Sequence, residues 1–264
     1  MPLFDALQDW CRDLERRLDP SALTGALPVL ELGREATPDP FQVEAITSTA
    51  STVALRIARQ SGKSCVLAAR GVMELQRGGT TICLAPAERQ TREITRKVGL
   101  YLRGTDMVIE RATQTEIEVN TGGRFIAVPA SGATIRGYTA TLLQVDEAAF
   151  LPGDNGGEDV ITAILPMLTD DGQVFYASTP AGKKNFFAGL FLNAKPDDGI
   201  HRIVVRGTDI PRMSAKVERL RQQLSPTKFR QEVLVEMLSD GVSYFDLDMI
   251  EKANSEEAAV WPKL

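Results

Sequence analysis

Phosphate chemistry needs a backbone cradle, a lysine and a hydroxyl in fixed order, and one stretch of the chain supplies them. Ala58 to Cys65 reads ARQSGKSC and ends in the Gly-Lys-Ser of a phosphate-binding loop, GxxxxGK[ST]. Gln60, Ser61 and Gly62 would form the cradle, with amides pointing at the helix N-terminus where anions bind. Lys63 would reach β- and γ-phosphates and Ser64 would ligate Mg²⁺. Two departures mark this loop. Ile57 stands where the first glycine belongs, and Arg59 lies inside. The glycine only permits a tight turn, which another backbone can make if the loop is held elsewhere. An arginine there is costly without an anionic partner, and a phosphate supplies one. The plain alternative is a glycine turn opening an ordinary helix. A second Gly-Lys pair, in PAGKKN, has Lys184 where the hydroxyl belongs and reads as a turn with exposed lysines.

Four further stretches carry usable groups. LLQVDE ends a hydrophobic run in Asp146 and Glu147. A strand C-terminus projects both to the sheet edge where ligands of open α/β folds bind. Asp146 can hold the hydration shell of the metal while Glu147 orients and polarises an attacking water. YASTP ends another buried run in two hydroxyls, so Thr179 or Ser178 can bond that water or Glu147; the competing reading is a strand end capped by hydroxyls. In PDPFQVEA, Gln42 has the donor and acceptor that an adenine edge requires, although a simple helix start explains the same residues. In SGATIRGYTAT, Arg136 sits among small residues before the acidic strand. It could serve a neighbouring subunit as an arginine finger, could be a surface arginine, or could leave that role to Arg59 in cis.

These groups must be positioned by strands that end at one edge. TVALRIA reads as a buried strand entering the loop, and the residues after Gly62 as a helix to about Gln76, closed by Gly78 and Gly79. TTICLAP is a strand, residues 87–103 a charged helix, and TQTEIEVNTGGRFIAVPA a hairpin turning at Thr121–Gly123. TLLQVDEAAF and QVFYAST are buried strands flanking a short helix at VITAILPML. Strands alternating with helices imply right-handed crossovers and a mainly parallel sheet. After about Phe191 one strand and two helices suggest a small subdomain, and FDALQDWCRDLERRL reads as an amphipathic N-terminal helix. The expected divisions are residues 1–37 (helical segment), 38–195 (core) and 196–264 (lid or linker).

Composition narrows the classes. Apolar content of 43% and charged content of 25% suit a globular protein. No apolar run reaches eighteen residues and the charged N-terminus has no signal-peptide core, so no membrane association is expected. Three dispersed cysteines and a single His201 leave little scope for a His/Cys metal site and fit a reducing cytoplasm. A net charge of −5 argues against coating nucleic acid by bulk field. Local basic runs remain, Arg89 to Arg103 and Lys216 to Arg230, and read first as solvated helix faces.

Taken in order, PFQ, ARQSGKS, IRGYTATLLQVDEAAF, STP and GKKNFFAGLF resemble the large terminase subunit of tailed bacteriophages over about Pro38 to Phe191. The resemblance implies an α/β P-loop NTPase of the ASCE, RecA-like kind, with a mainly parallel sheet flanked by helices and a small C-terminal lid or linker. It implies ATP and Mg²⁺ as cofactors. Lys63 and Ser64 would bind phosphate and metal, Asp146 complete the metal site, and Glu147 serve as catalytic carboxylate. Thr179 would couple hydrolysis to movement, Gln42 read adenine, and Arg136, or Arg59, act as the finger. Such loops commonly lack the first glycine and carry an arginine. The implied partners are double-stranded DNA, portal protein and procapsid, the small terminase subunit, and other copies in a ring, usually of five, in the cytoplasm of a bacterial host. Large terminases continue into a nuclease domain; Asp246 and Asp248 are too isolated to form one, so either an isolated ATPase domain or the product of a split gene is expected. A helicase-like or other DNA-stimulated ATPase shares the acidic and glutamine motifs. A two-domain helicase would need a second domain of similar size, for which the residues after Phe191 are too few.

Overall fold

The computed structural model describes residues 38–130 and 137–239. The expected N-terminal helix, Cys11, Arg136 and the FDLD acids lie outside the described residues. Eight strands form one sheet: β1 (Thr52–Ile57), β2 (Thr80–Ala85), β3 (Ile109–Ala112), β4 (Glu116–Val119), β5 (Arg124–Pro129), β6 (Ala140–Asp146), β7 (Leu168–Ser178) and β8 (Ile200–Val205). Their order across the sheet is β3-β4-β5-β2-β6-β7-β1-β8. The run from β5 to β8 is parallel, and only the β3–β4–β5 edge is antiparallel.

Alternation along the strands sorts the core into two layers. Val53, Leu55 and Ile57 of β1, Leu142 of β6, and Phe175 and Ala177 of β7 face one layer. It is covered by α1 (Pro40–Thr47), α2 (Lys63–Gln76) and α3 (Glu88–Leu102), with α6 (Ser214–Gln223) and α7 (Pro226–Glu232) alongside. Leu143 and Val145 of β6 and Val174 and Tyr176 of β7 face the other layer, under α4 (Glu158–Ile164) and α5 (Phe186–Leu192). Fully burying a side chain such as Leu55, Ile57 or Phe175 stabilises by about 1.5–3 kcal/mol, so the parallel centre is the rigid part on which the loops rest.

Helix α2 sits where the sequence places it. It opens at Gly62 (φ 107°) and closes when the Gly78 and Gly79 amides donate to Leu75 and Glu74 carbonyls. Polar groups lock it to the sheet: Gln144 donates to the Leu67 carbonyl at 2.8 Å, Thr141 to Glu74 at 2.7 Å, and Arg70 to Gln173 at 2.9 and 3.0 Å. The hairpin turn at Thr121–Gly123 docks on the far end of α2, where Thr121 donates to the Leu75 carbonyl.

Two differences from expectation lie at the edges of the sheet. The sheet has an additional edge strand, β3, whose residues are all exposed and whose pairing with β4 is bulged. Arg111 lies 3.8 Å from Glu118, and charges of this kind blunt an open sheet edge. The strand read at RIVVRG begins earlier, at Ile200, and pairs with β1 throughout, so it is the outer strand of the main sheet. Ile203 and Val205 join the β1 side of the core, and His201 bridges Ser48 (2.8 Å) and Glu44 (3.0 Å). The basic runs are compensated in part: Arg92 pairs with Glu88, Arg96 with Glu93, and Arg221 with Glu218. Among the described residues no helix is long and apolar enough to cross a membrane.

Candidate active site

The loop leaving β1 explains how it manages without its first glycine. Ile57 is still in the strand and fully buried, so no left-handed backbone is needed there. The left-handed turns fall later, at Gln60 (φ 60°) and Gly62 (φ 107°). Ser61 is fully buried and its hydroxyl donates to the Ala58 carbonyl at 2.5 Å, closing the loop on itself. The first amides of α2 then have no carbonyl of their own helix to bond, the usual condition for receiving an anion.

Strand β6 ends at Asp146, and Glu147 follows with a left-handed backbone (φ 52°), a strained setting for a glutamate. The two acids meet the loop lysine. Lys63 Nζ donates to Glu147 Oε1 at 2.6 Å and lies 3.7 Å from Asp146 Oδ1. Both acid side chains and Lys63 are shielded, with exposures of 10% for Asp146, 26% for Glu147 and 11% for Lys63. Burial pushes the Asp146 carboxyl above the usual carboxylate range; Lys63 opposes that shift and Glu147 adds to it. A desolvated carboxylate incompletely compensated by one lysine, where Lys63 opens α2, fits a divalent cation. Among the described residues no cluster of three or more His, Cys, Asp or Glu side chains could hold one, so the remaining ligands would come from phosphate and water.

Strand β7 lies between β6 and β1, which brings its end to the same place. Ser178, not Thr179, hydrogen-bonds Glu147: its hydroxyl donates to Glu147 Oε2 at 3.4 Å and accepts from the Ala149 amide at 3.1 Å. Thr179 lines, with Glu147, Arg59, Gln90 and Glu232, a cleft of about 290 Å³.

Arg59 departs from the expectation that it needs an anion. Its side chain is 72% exposed, so water solvates the charge, and Glu232 of α7 stands 3.8 Å away. Gln42 is also engaged: its Oε1 accepts from the Asp39 amide at 2.9 Å and its Nε2 reaches the Gly62 carbonyl at 3.4 Å. Its amide therefore braces the loop and the start of α1. The Asp-x-x-Gln spacing of residues 39–42 signals half of this, because a glutamine at the third helical position reaches back to the residue before the helix. In PAGKKN, Lys184 is exposed as expected while Lys183 is partly buried, and Asn185 caps α5. Sequence reasoning missed Asp39, Arg212, Lys216 and Glu232. The last three come from the C-terminal segment, and no spacing announces their approach to residues 59–61. Burial and the neighbouring Arg212, Arg219 and Arg59 lower the Lys216 ammonium below its usual range.

The central strand order β8-β1-β7-β6-β2 places one strand between the loop-bearing strand and the acid-bearing strand, and Lys63 is held against both acids. Together these define a P-loop NTPase of the RecA-like kind. A sequence profile described as terminase large subunit, T4likevirus-type, N-terminal, matches residues 55–252, well over half of the 264. The chain belongs to that family. Solved structures agree in fold. The large terminase ATPase domain of Thermus phage P74-26 superposes with a TM-score of 0.63 at 21% identity, covering 78% of this chain and 96% of that one. The large terminase of bacteriophage HK97 gives 0.63 at 17% identity, covering 78% and 52%. The large terminase of a thermophilic bacteriophage, solved in complex with ADP, gives 0.60 at 16% identity, covering 85% and 56%. The chain thus spans about half of the latter two proteins. No curated protein sequence matches it.

Proposed function

We propose that the chain is the ATPase motor of a packaging terminase, hydrolysing ATP to drive double-stranded DNA into a procapsid. The observation that carries the reading is the convergence of Lys63, Asp146 and Glu147 at the end of β6, beside Ser178 and Thr179 at the end of β7. Family membership and the ADP-bound relative from the thermophilic bacteriophage support it.

ATP would seat its phosphates on the amides after Gln60. Its negative charge draws Lys63 from Glu147 to the β- and γ-phosphates. The freed carboxylate accepts a proton from a water as that oxygen bonds the γ-phosphorus. The bond from phosphorus to the bridging oxygen breaks, leaving ADP and phosphate. Mg²⁺, held by Ser64 and Asp146, would neutralise charge developing on the phosphates. Ser178 keeps Glu147 oriented, and Thr179, in the same cleft, passes the change to the chain after β7. Gln42 would offer the remaining N–H and lone pair of its amide to an adenine edge. Arg136 would act across a subunit boundary in a ring, with Arg59 as the alternative in cis. Portal, procapsid and small subunit are the partners a family member would meet in the bacterial cytoplasm.

ATP turnover by the wild type, abolished in Lys63→Ala, is the expected result. Turnover unaffected by that substitution would refute the assignment. For the finger, Arg136→Ala mixed with Glu147→Gln should recover activity that neither has alone, and no recovery where rings form would move the role to Arg59.

A further inference from the structure

We propose that Arg212 is a positioning residue for the nucleotide, a role that rests on the ATP-site reading above. Arg212 lies just before α6, and its guanidinium spans two acceptors. Nε and Nη2 donate to Asp39 Oδ2 at 2.9 and 2.5 Å, and Nη2 also donates to the Ser61 carbonyl at 2.5 Å. Asp39 is the residue before α1, with a side chain only 10% exposed, and it is tied through its amide to Gln42, which reaches Gly62. The four contacts close a circuit: Arg212 to Asp39, Asp39 to Gln42, Gln42 to the Gly62 carbonyl, and the loop back through the Ser61 carbonyl to Arg212.

The circuit has a consequence for the anion. The Ser61–Gly62 peptide is trans, so its carbonyl and its N–H point in opposite directions. A guanidinium holding the Ser61 oxygen turns the Gly62 N–H to the other side, where the cradle must present it. Gly62, at φ 107°, is the residue least able to hold that orientation unaided, because glycine has the widest backbone freedom. The planar fork of arginine suits this task, since it reaches a carboxylate and a carbonyl together without swinging between them. Arg212 therefore acts on the phosphates through the loop backbone.

The test is calorimetric titration of the full chain with ADP, alongside thermal melting. Arg212→Ala should raise the ADP Kd by about tenfold or more, the factor carried by loss of one well-formed charged hydrogen bond. Its melting temperature should stay within a few degrees of wild type, because the side chain is 42% exposed. In turnover assays the loss should fall on KM and leave kcat within about threefold, the pattern of lost uniform binding. Asp39→Asn, which removes the charge holding the fork, should weaken ADP several-fold in the same direction, and it decides the matter if Arg212→Ala does not fold. Arg219→Ala removes a nearby positive charge on α6 and should leave ADP affinity within about twofold. Wild-type affinity in Arg212→Ala would overturn the assignment alone, as would an equal loss in Arg219→Ala, which would mean that field and not position is responsible. Absence of ADP binding by the wild type would overturn the nucleotide-site reading and this role with it.

Discussion

Glu147→Gln separates the observed duty of this glutamate from the proposed one. It is the counter-ion of Lys63 at 2.6 Å, so a nucleotide must break that bond before the lysine can serve the phosphates. A hydrogen bond between charged groups contributes about 1.5–3 kcal/mol, and the 26% exposure of Glu147 places this one at the lower end. Glutamine keeps an acceptor oxygen and forfeits only the charge, which leaves roughly 1 kcal/mol of competition removed, about a fivefold gain. Removing the carboxylate also relieves its repulsion of the γ-phosphate. The expected outcome is ATPγS affinity raised about three- to tenfold, measured by equilibrium titration. Single-turnover hydrolysis should fall by about a hundredfold or more, the usual worth of a positioned base. Affinity that falls in a folded variant would refute the competition between Lys63's two partners. Hydrolysis that persists would refute the role of Glu147.

Three other outcomes follow from particular contacts. Gly62→Ala places a Cβ 2.6 Å from Gln42 Nε2 at φ 107°, so about 1–2 kcal/mol of strain and at least a tenfold loss of ADP affinity are expected, checked by melting and titration. Gly123→Ala drives a Cβ to 2.4 Å from the Leu75 carbonyl, and the obstacle is backbone that cannot swing aside; urea denaturation should show a loss of about 2–3 kcal/mol, with ADP affinity unchanged because the contact lies at the far end of α2. Asp146→Asn removes a carboxylate that burial disfavours, so the nucleotide-free protein should melt at a higher temperature while Mg²⁺-dependent turnover is lost; a lower melting temperature would contradict the desolvation argument.

The sequence made the parallel core and its chemistry readable because buried runs ending in polar residues mark strands that deliver side chains to one edge. TVALRIA, LLQVDE and YASTP each did so: β1 ends at Ile57, β6 at Asp146 and β7 at Ser178. β3 was not legible: in IERA one apolar residue precedes two charges, and its pairing depends on the neighbouring hairpin. The first five residues of β7, LTDDG, carry acids and a glycine and join an irregular stretch of the ladder, so local propensity opposed the strand that tertiary pairing imposes. The choice between Ser178 and Thr179 required knowing that β7 ends at Ser178 and how its hydroxyl meets Glu147, which the strand pattern does not fix. Arg212 was beyond reach for a different reason: nothing near it in sequence reports that the chain folds back onto residues 59–61.

The most direct measurement is a crystal structure of the chain with an ATP analogue and Mg²⁺. The account requires the phosphates on the amides after Gln60, Lys63 Nζ withdrawn from Glu147 onto the β- and γ-phosphates, and Glu147 facing a water behind the γ-phosphorus. A triphosphate bound elsewhere, with the 2.6 Å contact between Lys63 and Glu147 intact, would contradict it.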